Sequence, residues 1–359
     1  MASQDNDKPF VSLCTPTFNR RPFFSNLIRS IENQTYPVSR MEWIIIDDGT
    51  DSIEDLVKDI PYVKYYRYEE KMKLGEKRNV MHTKATGDFI VYIDDDDYYP
   101  PERVSHAIET LQKNPQAMCA GSSIMHIYFK HIQEMWQFGP YGPNHATAAT
   151  FAFRKELLND TCYDDFACLG EEKAFLKEYT VPFVQLDTFK TILVFSHTQN
   201  SFDKRDLLNN PNEKFAKKCD VKVSDFVTDK DVLQFFMNDI DDILTEYKPG
   251  DPSNKKDVEF FMKVTKKVRD EMFAAMKKQH QDMQNQANQQ FGQLHTQHQH
   301  NVKELVDKNK ELTEELKTTK ETTTYIKDKI KALLVELVDC KSELKRMKLG
   351  VEEKLDSEA

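Results

Sequence analysis

Four consecutive carboxylates, Asp94 to Asp97, follow the apolar run FIVYI and precede the pair Pro100-Pro101 by two tyrosines. Anions crowded onto a strand end raise one another's pKa unless a cation lies among them. A hard divalent ion answers that need. Mg²⁺ and Mn²⁺ prefer oxygen ligands, and Mg²⁺ is commonly held by one or two carboxylates together with phosphate oxygens. The run therefore points to metal-assisted binding of a diphosphate, with a solvated acidic turn as the plain alternative.

Other residues of suitable type lie at the ends of apolar runs. Asp48, after WIIID, could accept a base N–H or a ribose hydroxyl, or simply form an Asx turn before Gly49. The segment TPTFNR, residues 15–20, offers the aromatic Phe18 and backbone groups to a base. Lys73, Lys77 and Arg78 cluster around Gly75 and could neutralise phosphate, although basic residues at a helix start often form only a solvated face. Trp136, Phe138 and Tyr141, in the Gly/Pro-containing stretch MWQFGPYGPNH, could stack on sugar rings or just pack a loop.

These residues need elements to bring them together. FVSLCTPT, WIIID, VKYYRYEE and FIVYIDDDD read as strands. Between and after them, RPFFSNLIRSIENQ, SIEDLVKDI, KLGEKRNVMHTKATG and PERVSHAIETLQKNP carry helical spacing. The unbroken apolar WIII suits a sheet covered on both faces. A β-α-β-α-β-α-β order with right-handed crossovers gives an α/β fold with a mostly parallel, doubly wound sheet. In such sheets ligands bind outside the C-terminal strand ends at a switch point, so the polar ends of the first, second and fourth strands are expected to converge.

From about residue 117 the strands become less regular: AMCAGSSIMHIYF, ATAATFAF and TILVFSH, with a short helix at EEKAFLKEY. Domain limits are expected at 1–205 for the α/β domain, 206–275 for a helical extension, 276–300 for a Gln/His-rich linker or polar helix, and 301–356 for a coiled coil. The last rests on two heptad series. One runs every seventh residue from Val302 to Val351, the other from Leu305 to Lys354, with Asn309, Thr319 and Thr323 as polar interruptions. A solvated single helix is the alternative; the coiled coil implies a homo-oligomer.

The formal net charge of −10 argues against nucleic acid as a partner held by bulk electrostatics, so an anionic ligand must be bound locally. Six cysteines at irregular spacing, without a C-x-x-C pair, read as reduced thiols. No signal-like N-terminus and no long apolar span stand in the sequence, so the expected location is cytoplasmic, a host's cytoplasm if the source is viral.

Together TPTFNR, WIIIDDGTD and LGEKRNVMHTKATGDFIVYIDDDDYYPPERV resemble the family 2 glycosyltransferases of GT-A fold, over about residues 9 to 200. The resemblance implies an inverting enzyme that uses a nucleotide-diphosphate sugar, with UDP-sugars the expected donor class, Mn²⁺ or Mg²⁺ as cofactor and a carbohydrate or glycoconjugate acceptor. It implies that Pro16 and Phe18 line the nucleobase site with Arg20 nearby, that Asp48 binds the base, and that Lys73 or Arg78 lies near base or phosphates. Asp94-Asp95-Asp96 would be the D-x-D element: Asp94 near ribose or metal, Asp95 on the donor, Asp96 a metal ligand, and Asp97 in the following acidic position. His197, after a late strand, would be a further ligand. Glu172 would be the base that takes the acceptor proton, with Glu171 second; helix-dipole complementarity is the alternative for the pair. Trp136 and Tyr141 would contact sugar. A nucleotidyltransferase is a rival reading, disfavoured because TPTFNRRPF lacks glycine. A coiled-coil scaffold with a degenerate, non-catalytic sugar-nucleotide domain is another.

Overall fold

The structure is a computed structural model that describes residues 7–209 and 211–355. The chain divides into two compact units, Met1–Lys267 and Val268–Ala359. Residues 1–6 and 356 of the expected domains lie outside the described residues. The side chains of the last heptad positions, Val351 and Lys354, do as well.

In the first unit the chain runs β1 (Val11–Thr17), α1 (Phe24–Glu32), β2 (Met41–Asp47), α2 (Glu54–Val57), β3 (Val63–Arg67), α3 (Leu74–Lys84), β4 (Phe89–Tyr92) and α4 (Arg103–Lys113). It continues through β5 (Cys119–Gly121), β6 (Met125–Phe129), β7 (Glu134–Phe138), β8 (Ala152–Arg154), α5 (Glu172–Phe175), β9 (Phe183–Gln185), β10 (Val194–Ser196) and β11 (Ala216–Cys219). Two further helices, α6 (Lys230–Gln234) and α7 (Ile240–Glu246), precede α8 (Lys256–Leu355).

Seven strands form one sheet in the order β3-β2-β1-β4-β8-β5-β9. β1 to β4 are mutually parallel, and β8 enters antiparallel against β4 and β5. The expected mostly parallel α/β sheet is therefore present. Both faces are covered, and alternation along each strand divides the core. Val11, Leu13, Trp43, Ile45 and Val91 pack under α1 and α4, whereas Cys14, Ile44, Ile46, Ile90 and Tyr92 pack against Met81 of α3 and Phe175 of α5. This is why the sequence of β2 is apolar without interruption: every residue from Met41 to Asp47 is buried.

β1 lies between β2 and β4, so successive connections leave it in opposite directions and open a crevice at its C-terminal end. Hydrogen bonds lock that end. Trp43 Nε1 donates to Thr15 Oγ1 at 2.9 Å, and Thr15 Oγ1 donates to the Ile93 carbonyl at 2.7 Å.

The later strands depart from the sequence reading in two places. AMCAGSSIMHIYF does not form one strand: β5 joins the large sheet, and β6 joins a second sheet ordered β10-β6-β7-β11. Within MWQFGPYGPNH, residues up to Phe138 are strand β7, paired antiparallel with β6 and β11, and only the part from Gly139 is loop. The helix at Glu172 is also short, because Lys177, Glu178 and Tyr179 all have positive φ and cannot continue it.

The second unit is the continuation of α8. The Gln/His-rich residues 276–300 are helical throughout, and the helix is uninterrupted from Lys256 to Leu355.

Candidate active site

A cleft of about 330 Å³ opens at the C-terminal ends of β1 and β4. Its floor is the acidic turn after β4. The Asp94 backbone N–H donates to Tyr99 Oη at 2.7 Å, while the buried Arg103 donates to the carbonyls of Tyr92 at 3.2 Å and Phe151 at 2.9 Å. Those bonds fix the point at which the chain leaves the sheet, and so fix where the carboxylates stand.

Each carboxylate meets a different neighbour. Arg20, buried at the end of the TPTFNR segment, places Nε 3.6 Å from Asp95 and Nη2 3.4 Å from Asp96. Asp96 Oδ2 also lies 3.3 Å from His197 Nε2 and 3.4 Å from the amide of Asn200. Arg78, fully buried over the Tyr92 ring at 4.4 Å, sits 3.5 Å from Asp94 and 2.9 Å from Glu171. Part of the counter-charge the run requires thus comes from the chain's own arginines.

The protonation consequences differ accordingly. Burial raises Asp96, yet its bond to His197 and the Arg20 charge hold it well below the usual carboxylate range. Burial pushes Asp95 up to about 7 against the pull of Arg20. Asp94 and Asp97 are raised too, by burial first, and one oxygen of each is buried without a hydrogen-bond partner. His197 is held down to about 4 by burial and is neutral at physiological pH.

At the end of β2 two adjacent aspartates divide the work. Asp47 builds the turn: Oδ1 accepts the Gly49 N–H at 2.9 Å, and Oδ2 accepts from Ile53 N–H at 3.2 Å and Tyr65 Oη at 2.7 Å. Asp48 accepts the Met72 N–H at 2.6 Å and pairs with the buried Lys77 ammonium. Lys77 also donates to the Thr17 carbonyl at 2.9 Å, tying α3 to the end of β1.

The acidic pair reaches the cleft through a loop held by α3. The Gly75 N–H donates to the Ala167 carbonyl at 3.0 Å, and a Cβ at Gly75 would stand 1.9 Å from the Asp164 carbonyl oxygen. Only glycine allows this approach, which brings Glu171 onto Arg78. Glu171 is buried in that ion pair. Glu172, beside it on the cleft wall, has its carboxyl pushed up to about 7, by burial first and then by the Glu171 charge.

Of the residues singled out from sequence, Pro16, Phe18, Arg20, Arg78, Asp94, Asp95, Asp96, Glu171 and Glu172 all line this cleft. Asp48 and His197 stand one layer behind, against Lys77 and Asp96. Lys73 is turned away, with its ammonium 4.4 Å from the Phe166 ring centre. Trp136 points its Nε1 at Glu134, 2.9 Å away, in β7. Tyr141 packs on Phe215 at 5.2 Å in a separate apolar recess of about 640 Å³.

Lys77, singled out from sequence with Arg78, lines the cleft too, and so do three lysines that sequence reasoning left out of the site: Lys71, Lys204 and Lys255. Lys71 lies 5.1 Å from the Phe18 ring centre, and the buried Lys255 donates to Ser201 Oγ at 2.6 Å. Burial and the nearby Arg20 charge bring Lys255 well below the usual lysine range, against Asp95 and Asp96. Lys77 stands at helical spacing beside Arg78 and was detectable. Lys204 and Lys255 come from irregular chain with no periodic signal.

Residues 12–175 match the family described as Glycosyl transferase family 2. The domain belongs to that family. Two curated relatives each match a little under a third of the chain. An uncharacterized glycosyltransferase of Haemophilus influenzae is 32% identical over 108 residues, 29% of this chain and 35% of that protein. The GalNAc(5)-diNAcBac-PP-undecaprenol beta-1,3-glucosyltransferase of Campylobacter jejuni is 33% identical over 113 residues, 29% of this chain and 34% of that protein. The chain thus spans about a third of the length of either relative. Among solved structures, S. aureus TarS 1-349 in complex with UDP aligns with 57% of this chain and 67% of its own, at 19% identity and a TM-score of 0.41. The family 2 domain carries the acidic turn, Arg78 and the Glu171–Glu172 pair, whereas His197, Lys204 and Lys255 lie beyond it and complete the cleft from the C-terminal side.

Among the described residues no three His, Cys, Asp or Glu side chains stand together as a ready metal site, and no helix is long and apolar enough to cross a membrane.

Proposed function

We propose that this protein is an inverting glycosyltransferase that moves a sugar from a UDP-sugar to a hydroxyl of a carbohydrate or glycoconjugate acceptor. One observation carries the reading. Glu172, a carboxyl pushed up to about 7, shares a cleft with the Asp94–Asp97 turn and the Pro16–Phe18 segment, within a family 2 domain. A base poised near neutral pH is suited to taking a proton from a hydroxyl as it attacks.

In this reading Phe18 stacks on the base, with Pro16 beside it. Asp48, held by Lys77 and Met72, sets the height of the base pocket and reaches the base once Lys77 turns to the phosphates. Arg20, Lys71, Lys77, Lys204 and Lys255 surround the diphosphate and explain how a chain of net charge −10 holds a dianionic ligand. The acceptor hydroxyl gives its proton to Glu172, while Arg78 keeps Glu171 and Asp94 in place on either side of the reacting carbon.

A divalent cation fits this donor set. Asp96, kept ionised, and neutral His197 lie 3.3 Å apart, and nearby one buried oxygen each of Asp94 and Asp97 accepts no hydrogen bond. Asp96 and His197 would hold Mn²⁺ or Mg²⁺, with Asp94 near it, and phosphate oxygens would complete the shell. When bound, the ion neutralises the departing nucleoside diphosphate as a Lewis acid.

The test is a panel of nucleotide sugars with Mn²⁺, read by mass spectrometry for release of the nucleoside diphosphate, alongside the melting temperature with UDP and Mn²⁺. Turnover lost in Asp96→Ala and a UDP shift that requires Mn²⁺ are expected. UDP binding without any turnover over the whole panel would favour a binding module, and neither response would overturn the reading.

A further inference from the structure

We propose that residues 302–347 of α8 pair with a second copy of this chain as a parallel, in-register, two-stranded coiled coil. This is independent of what the α/β domain catalyses.

Among the described residues the apolar seam of the second unit is solvent-exposed. With Val302 taken as heptad position a and Leu305 as d, Leu305 is 65% exposed, Leu333 55% and Met347 71%. An amphipathic stripe of that length is stable in water only when covered. Charge tells which partner covers it. Of the charged g positions, Glu315, Glu336 and Glu343 have Lys320, Lys341 and Lys348 at the e positions five residues on, while Lys308 and Lys329 have the uncharged Thr313 and Leu334. In a parallel in-register pair each g residue faces the following e residue of the other chain, so all three contacts join glutamate to lysine. An antiparallel pair sets e against e, and every charged e residue from 306 to 348 is a lysine. Like charges along that edge disfavour the antiparallel arrangement.

Strand number follows from the seam. Val302 with Leu305, and Ile330 with Leu333, give the β-branched a and leucine d that favour two strands; Leu316, Leu337 and Leu344 at a add nothing to that preference, and Asn309 at a is a register-fixing residue. The seam threonines do not oppose burial. Thr319 Oγ1 donates to the Glu315 carbonyl at 2.8 Å and Thr323 Oγ1 to the Thr319 carbonyl at 2.7 Å, so covering them strands no hydroxyl.

Orientation and register have a built-in reporter. Cys340 is a free, exposed thiol at position d, and an in-register parallel pair sets it opposite its own copy. The Cα atoms of a disulfide stand about 4.4–6.8 Å apart, a distance that facing d positions meet and that antiparallel or shifted pairs do not.

The experiment takes the full chain at micromolar concentration. Light scattering should give twice the chain mass of 42.0 kDa. Copper–phenanthroline, which accepts two electrons as the two thiols release two protons, should link the chains in a band that a reductant removes. The link should persist in Cys162→Ser, vanish in Cys340→Ser, and vanish with return to single-chain mass in Leu333→Asp, whose site is solvent-exposed in the lone helix. A single-chain mass for the unmodified protein, a three-chain mass, or a two-chain species that does not link through Cys340 would each overturn the proposal.

Discussion

Replacing Glu172 by glutamine should make the protein more stable above neutral pH while removing its activity. Burial and the Glu171 charge move the Glu172 carboxyl from 4.5 to about 7. At about 1.4 kcal/mol per pKa unit, that displacement is worth up to about 3 kcal/mol, reduced somewhat because the group keeps some contact with solvent. The sign follows from proton counts. Below pH 4.5 folded and unfolded chains both hold the proton and the group is neutral in its effect. Between 4.5 and about 7 the unfolded chain has released it and the folded chain has not, so stability falls with pH, and above about 7 the loss is complete. Glutamine imitates the protonated form at every pH. The difference in unfolding free energy between Glu172→Gln and the unmodified chain should therefore be near zero at pH 4, under about 1 kcal/mol at pH 5, and rise to about 2–3 kcal/mol by pH 8. For a unit of this size that is on the order of 5–10 °C in melting temperature.

Urea unfolding of both proteins at half-unit pH steps measures this directly. In parallel, kcat/KM of the unmodified protein should climb as pH passes through about 7, and the variant should lose about 10²- to 10⁴-fold. A difference that stays flat from pH 5 to 8 refutes the idea that the site penalises the Glu172 charge. The expected stability curve with activity retained refutes its role as base and moves that role to another group.

Two further outcomes follow from the same geometry. Arg78→Met leaves Glu171 and Asp94 buried without their cation, and should cost about 3–5 kcal/mol in urea unfolding, with part recovered in the double variant Arg78→Met, Glu171→Gln. Lys255→Met removes a buried amino group from the cleft; UDP affinity by calorimetry should fall about 10- to 100-fold, the worth of a hydrogen bond to the charged diphosphate, while unfolding stability does not fall.

Much of the cleft was legible because it sits where simple rules operate. WIIID and FIVYI announce strands covered on both sides, and carboxylates that follow such strands must stand at the sheet's C-terminal edge. The switch point then gathers them with the end of β1. Glu171 and Glu172 were found from family motif order, since their approach depends on a loop docked against Gly75 that no periodicity encodes. Trp136 and Tyr141 were drawn to the site by residue type alone. Pairing of β7 with β6 and β11 turns the first into a second sheet, and the recess beside Phe215 takes the second. Lys204 and Lys255 were invisible for the complementary reason: they act through long-range proximity, and their local sequence is ordinary loop.

The four aspartates began as one puzzle of crowded charge, and their neighbours give it four answers. Arg20 serves two of them and reaches neither closely, at 3.6 Å from Asp95 and 3.4 Å from Asp96. Asp96 wins because His197 adds a bond on its other side, and it alone stays firmly ionised. Asp95, with the same arginine and no histidine, drifts up to about 7. Asp94 shares Arg78 with Glu171, so that arginine's charge is divided as well. Asp97 makes no ion pair among the described residues; burial raises it well above the ordinary carboxylate range, and one of its oxygens accepts no hydrogen bond. Even with Lys204 and Lys255 in the same cleft, two arginines are shared among five acids, and burial raises three of these: Asp94, Asp95 and Asp97. In the proposed reading a divalent ion beside a bound diphosphate would relieve that crowding, and Asp96 would be the oxygen donor ready at neutral pH.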